Sequence, residues 1–178
     1  YQVTFETLGD VAKITDEQSK QVLGYNLFNA SKYLQLNQTG KIALTEELLT
    51  KIKQAFITNG VEDKIDFDLT PKFVVGYVME KQAHENADKL SVCQIDVGEE
   101  KLQIVCGAPN IEKGQKVVVA KVGAIMPSGM EIKPTKLRGV ESNGMVCSQK
   151  ELGLPNASKE KGIYVLNGEY KAGQVFEF

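Results

Sequence analysis

Tryptophan is absent from this 178-residue chain, histidine occurs once and cysteine three times. Each scarcity narrows what the protein can do. The lone histidine, His84, lies in turn-like sequence with no motif around any serine or cysteine, so no nucleophile–base pair is legible. There is no G-x-x-x-x-G-K-[ST] loop and no dinucleotide fingerprint. An enzyme is therefore not expected. Cys93, Cys106 and Cys147 form an odd set without a C-x-x-C pair, in apolar surroundings, and their spacing with His84 matches no zinc pattern. Buried reduced thiols are expected, with no metal and no cofactor. No apolar run approaches the roughly 18 residues of a membrane span, and no basic segment followed by an apolar stretch opens the chain. The expectation is a soluble cytoplasmic protein. The chain opens on Tyr1, already strand-like and without a methionine, which predicts further residues upstream.

Aromatic residues are missing in a telling place: none occurs between Val78 and Ile163. Binders of single-stranded nucleic acid commonly stack bases on aromatic rings, worth roughly 1–3 kcal/mol per base. Only Tyr77 and Tyr164, at the margins, offer such a surface. A nucleic-acid partner would have to be read by shape and charge, as folded RNA is read.

What is present begins with an uneven charge. The formal net charge is −2, but residues 1–70 hold seven lysines against ten acidic residues, whereas 113–161 hold nine basic residues against four glutamates. A modest positive patch fits weak, salt-sensitive binding to phosphates, and it equally fits a solvated lysine face.

In chain order, 3–8 and 11–15 alternate apolar and polar residues around Gly9-Asp10, predicting a hairpin. A third strand should follow near 22–28 and pass into a short helix or turn capped near Asn29 or Ser31. Thr45 then starts the clearest helix, with Glu46 and Glu47 in its first turn, the stripe Leu48, Leu49, Ile52, Ala55 and Phe56, and Asn59-Gly60 at its end. The acidic run 61–70 before Pro71 marks the expected domain boundary. Residues 1–70 are then a small α+β domain with Tyr1, Phe5, Tyr25, Phe28, Tyr33, Phe56 and Phe67 available for its core. From Phe73 short strands succeed one another at 73–81, 90–98, 102–107 and 116–123, with Gly76 suited to sharp coiling. A turn follows at Pro127-Ser128-Gly129, then a return through 132–137 and final strands at 163–166 and 174–178. The fold class is mainly β: a small closed barrel at 71–178 behind a small α+β domain.

Three stretches carry the chemistry: HENADKLSVCQIDVG at 84–98, IVCGAPN at 104–110 and KLRGVESNGMVCSQKELG at 136–153. The last puts Lys136 and Arg138 beside a turn of Gly139, Ser142, Asn143 and Gly144, and ends in a run that reads as a helix start. It offers cations, hydroxyls and backbone N–H groups to a phosphate-rich ligand. In this order the three stretches closely resemble the tRNA-binding domain of the bacterial phenylalanyl-tRNA synthetase beta subunit and of methionyl-tRNA synthetase. That domain also occurs in free-standing tRNA-binding proteins and in the endothelial-monocyte-activating polypeptide. The likeness covers roughly 72–178.

The resemblance implies an OB-fold and non-catalytic binding to the outside corner of tRNA with little sequence preference. It points to Asn86, Asp88 and Lys89, to Ala108 and Asn110, and to Arg138, Ser142, Gly144, Met145 and Ser148. Lys89, Lys136 and Arg138 would pair with phosphates, while Asn110, Ser142 and Ser148 would bond phosphate or ribose oxygens. Met145 would pack on a sugar or base, and Gly144 would permit close approach. Each has a plainer alternative: Asp88 and Ser142 as turn formers, Met145 as core, Arg138 paired with Glu141. The chain departs from the family at Glu85, which stands where a proline usually follows the histidine. That replaces a rigid residue by a negative charge near the expected RNA face. A free-standing bacterial tRNA-binding protein with an extra N-terminal domain, monomeric or weakly dimeric, is the favoured reading. A protein-interaction module and a synthetase beta-chain fragment are the alternatives, and the N-terminal domain is the place for a protein partner.

Overall fold

The structure is a computed structural model that describes residues 2–65 and 67–178. Tyr1, expected among the N-terminal aromatics, and Asp66 of the acidic run lie outside the described residues. The chain divides into two compact units, residues 1–70 and 71–178.

In the first unit, β1 (Val3–Leu8), β2 (Val11–Asp16) and β3 (Val22–Leu27) form an antiparallel meander in the order β1-β2-β3. Gly9 takes a φ of 56° in the hairpin turn, a conformation that costs a glycine little. Alternation places Leu8, Val11, Tyr25 and Leu27 on one face. There they meet Leu49, Ile52 and Phe56 of α1 (Glu46–Thr58), with Val61 and Ile65 completing the core. The rings of Tyr25 and Phe56 meet edge to face at 5.0 Å. Thr45 caps α1 by accepting the Leu48 N–H at 3.2 Å. The expected cap near Asn29 takes another form: Asn29 is left-handed (φ 51°) and its amide donates to Asp10 at 2.9 Å, so the short 3-10 turn Ala30–Lys32 has no side-chain cap.

The second unit is built on β4 (Phe73–His84), the longest strand. It pairs along its first half with β7 (Lys116–Ala120) and along its second with β5 (Ala87–Asp96), which in turn pairs with β6 (Lys101–Cys106). Register shifts at Val78/Glu80 and Ala83/His84 let the strand bend between its partners. Two apolar layers follow from the alternation. Val74, Val78, Val117 and Val119 point into the barrel with Cys93, Ile95, Ile104 and Ile111. Val75, Val118 and Ala120 face the other way, onto Ala124, Met126, Ile132, Cys147, Leu152 and Leu166. Gly76 is required by crowding: a Cβ there would lie 2.6 Å from methyls of both Ile95 and Val119.

Closure comes from residues 142–146. Asn143 donates its N–H to the Gln103 carbonyl on β6 at 2.8 Å, and β10 (Met145–Val146) then pairs with Ala120 and Val119 of β7. The mainly β class is thus observed, as a barrel of the OB type. Three elements differ from expectation. Segment 148–153 is a single turn, closed by Leu152 N–H to Ser148 carbonyl and ended at Gly153 (φ 67°), and does not continue as a helix. Segments 163–166 and 174–178 run beside β7 and β4 but reach them through isolated bridges, Val117 to Val165 and Val74 to Val175. The turn at 127–129 closes a loop with one bridge, Ile125 to Glu131. Among the described residues no helix is long and apolar enough to cross a membrane.

Candidate nucleic-acid interface

The closure segment determines which motif residues meet. Ser142, at the end of β9 (Val140–Ser142), is buried, and its hydroxyl accepts the Val105 N–H at 3.0 Å. It therefore joins β9 to β6 and is spent inside the barrel. Gly144 (φ 146°) fits between strands, since a Cβ would approach the Ala120 carbonyl oxygen at 3.0 Å and Ile104 at 3.1 Å. Its close approach is to the barrel's own backbone. Met145 is half-buried and packs on the outer apolar layer.

Asn110 is pinned in the same way. Its amide accepts the Ile163 N–H at 2.8 Å and donates to the Ile163 carbonyl at 3.1 Å, and Gly162 leaves room for it. Asn110 thereby clamps a segment 53 residues away. Ser148 is engaged with Glu151: its N–H donates at 2.8 Å, its hydroxyl donates at 2.7 Å, and the hydroxyl accepts the Glu151 N–H at 3.2 Å. Gly107 is a point of tight packing, where a Cβ would lie 3.2 Å from Leu90. Its φ is not positive.

These clamps shape a groove of about 1030 Å³ between the 105–110 loop and residues 145–165. Ala108, Asn110, Met145 and Ser148 line it, and so do Lys150, Lys159 and Lys161, facing Glu151 and Glu160. The three lysines are exposed, and among the described residues no ion pair involves them. Sequence reasoning counted them in the basic stretch without singling them out. The signal for Lys159 and Lys161 was the K-E-K-G run directly before the Ile163 that Asn110 clamps.

The remaining motif residues gather at a second place. Asn86 lies in the β4–β5 turn beside exposed Glu85. Asp88 and Lys89 are exposed on β5 itself, so Asp88 is not the turn former it was expected to be. The turn is held by His84, whose Nδ1 accepts the Asn86 N–H at 3.0 Å. Lys136 sits on β8 (Thr135–Leu137) and Arg138 at the turn joining β8 to β9. Lys136, and not Arg138, pairs with Glu141, at 3.5 Å between exposed side chains, a contact of small energetic weight. Arg138 stands exposed at the tip, the chain's one arginine. The two places adjoin: the Lys89 carbonyl oxygen and Leu90 lie at Gly107, which lines the groove.

The three cysteines are buried free thiols. Burial pushes Cys93 up to about 11 and Cys147 up to about 12, and raises Cys106. Among the described residues no three His, Cys, Asp or Glu side chains converge as a metal site would require.

Residues 73–175 match the family model described as "Putative tRNA binding domain", and residues 1–68 match a domain of unknown function, DUF4479. The chain is 57% identical over 177 residues to "Putative tRNA-binding protein YtpR" of Bacillus subtilis, covering 99% of this chain and 88% of that protein. It is 52% identical over 128 residues to the phenylalanine–tRNA ligase beta subunit of Campylobacter jejuni, where the match covers 71% of this chain and only 16% of the subunit. A MetRS related protein from Pyrococcus horikoshii is 22% identical, with a TM-score of 0.44 over 64% of this chain and 100% of that one. Matched over more than half its length by the first of these models, and along nearly all of it by the Bacillus protein, the chain belongs to the tRNA-binding domain family, as a member that carries an additional N-terminal domain.

Proposed function

We propose that the barrel binds folded tRNA without catalysis, reading its backbone by shape and charge. One observation carries the reading. The second and third motifs, distant in sequence, converge on a groove rimmed by Lys150, Lys159 and Lys161, and the first motif adjoins it with Lys89. Direct contacts are assigned to Lys89, Lys136, Arg138, Lys150, Lys159 and Lys161 for phosphates, and to Asn86, Ala108 and Met145 for sugar and backbone surface. Ser142, Gly144, Asn110 and Ser148 act by shaping the groove, because their polar groups or their space are already committed. Asp88, an exposed carboxylate, tunes affinity downward or bonds a ribose hydroxyl. A tRNA ligand implies a cytoplasmic setting.

The test is a titration of bulk tRNA at low and at physiological salt, beside single-stranded DNA, with a Lys150→Glu, Lys159→Glu, Lys161→Glu variant. The expected result is salt-sensitive binding of tRNA alone, lost in the variant. Binding that ignores salt and the variant would sink the reading.

A second reading belongs to the N-terminal unit. Edge strand β1 leaves Val3 and Phe5 exposed on one face, Phe5 at 74%. An exposed apolar edge strand is a place where another chain can pair. We propose a protein partner there, with the chain itself monomeric or weakly dimeric. Lysate capture lost on Phe5→Lys, with tRNA affinity unchanged, is the expected outcome, and undiminished capture opposes it.

A further inference from the structure

The β8–β9 hairpin is thinly held. Thr135–Leu137 and Val140–Ser142 pair with each other as a separate two-stranded sheet, and all six residues are exposed except Val140, half-buried, and Ser142. At its base it is tied to β6, by the Ser142 hydroxyl on Val105 N–H and by the Gln103 side-chain amide, which donates to the Glu141 carbonyl at 2.9 Å. At its tip the chain turns through Arg138 (φ 50°) and Gly139 (φ 90°), two consecutive left-handed residues. Glycine, asparagine and aspartate suit such positions, so nothing in the backbone calls for an arginine there.

One hydrogen bond among the described residues reaches this tip from another element. His84, 5% exposed at the end of β4, sets its Nε2 2.9 Å from the Leu137 carbonyl oxygen, next to Arg138. Because Nδ1 accepts the Asn86 N–H, the proton sits on Nε2 and the ring donates to Leu137. The β4–β5 turn thereby fixes the ring, and the ring fixes the hairpin tip across 53 residues of sequence.

We propose that His84 is a positioning residue for RNA binding: through the Leu137 carbonyl it holds the hairpin so that the Arg138 guanidinium is presented to a phosphate of the bound tRNA. The role rests on the tRNA reading above. A guanidinium held in place loses less freedom on binding than one on a swinging hairpin, so the effect appears as affinity.

The experiment uses the full chain in four forms besides wild type: His84→Leu, His84→Gln, Arg138→Ala and the His84→Leu, Arg138→Ala double variant. Bulk tRNA affinity is measured together with backbone amide order parameters. His84→Leu should weaken tRNA binding roughly five- to tenfold and drop the Arg138 and Gly139 amides below about 0.6, while β4 and β7 stay near about 0.85. His84→Gln, whose amide can still donate to Leu137, should restore most of the affinity. In the Arg138→Ala background His84→Leu should cost less than about twofold, since both substitutions remove one contact. An equal loss in both backgrounds, or a loosened tip with unchanged affinity, overturns the role. Failure of wild type to bind tRNA at low salt overturns the tRNA reading itself and this role with it.

Discussion

Replacing Ser142 by Ala leaves the buried Val105 N–H without its acceptor, which costs about 1–3 kcal/mol. Thermal unfolding of Ser142→Ala should therefore show a lower Tm, and any loss of tRNA affinity should accompany that loss. Lys159→Ala should change affinity with Tm unmoved. Gly76→Ala is the sharper stability probe: its methyl would meet two buried methyls at 2.6 Å, and overpacking of this kind costs about 1–3 kcal/mol. The thiols give a dependence on pH. Burial raises Cys93 and Cys147 above the ordinary value of 9.0, to about 11 and about 12, so the folded state holds protons that the unfolded chain releases. Their contribution is complete below pH 9.0 and is lost as pH rises toward 11 to 12. Denaturant midpoints should fall between pH 9 and 11 in wild type and fall less in a Cys93→Ala, Cys147→Ala variant.

At the scale of elements, α1 and β1 to β7 were legible because each carries a recognisable pattern: Thr45 ahead of an i, i+3, i+4 stripe, and a short continuous apolar run at 117–120 bounded by turn residues. Thr45→Ala should remove about 0.5–2 kcal/mol from the N-terminal unit, read as an earlier loss of α1 helicity in circular dichroism on heating. What escaped the sequence is bonding between distant residues. Nothing local distinguishes 163–166, whose apolar run promised a strand, from a segment held by Val117, by the Cys147 carbonyl and by the Asn110 side chain. Polar residues such as Ser142 and Asn110 look like ligands in a sequence because the carbonyl or N–H they satisfy lies 37 to 53 residues away. His84 escaped for the same reason.

For the whole molecule, the two units differ in the charge they bring. Residues 1–70 carry more acid than base, while the groove and the hairpin tip add Lys150, Lys159, Lys161 and Arg138, for which no ion pair is found among the described residues. With the six cations assigned above each neutralising a phosphate, tRNA affinity should fall ~10³-fold between 50 and 200 mM salt, and Arg138→Ala should shallow the log–log slope by about 1. A chain of residues 71–178 alone should bind at least as tightly as the full chain. The order in which the barrel assembles follows from its closure by residues 142–146. Strands β4 to β7 can pair among themselves as soon as residue 120 has been synthesised, but β6 and β7 stay unjoined until Asn143 and Met145 arrive. The ligand-binding surface is then completed only after the β4 to β7 pairings, and it is expected to open before them. Native-state hydrogen exchange should find the Asn143 and Val105 amides exchanging well before those of Val74 and Val119, which pair between β4 and β7, with bound tRNA slowing the first pair and leaving the second unchanged.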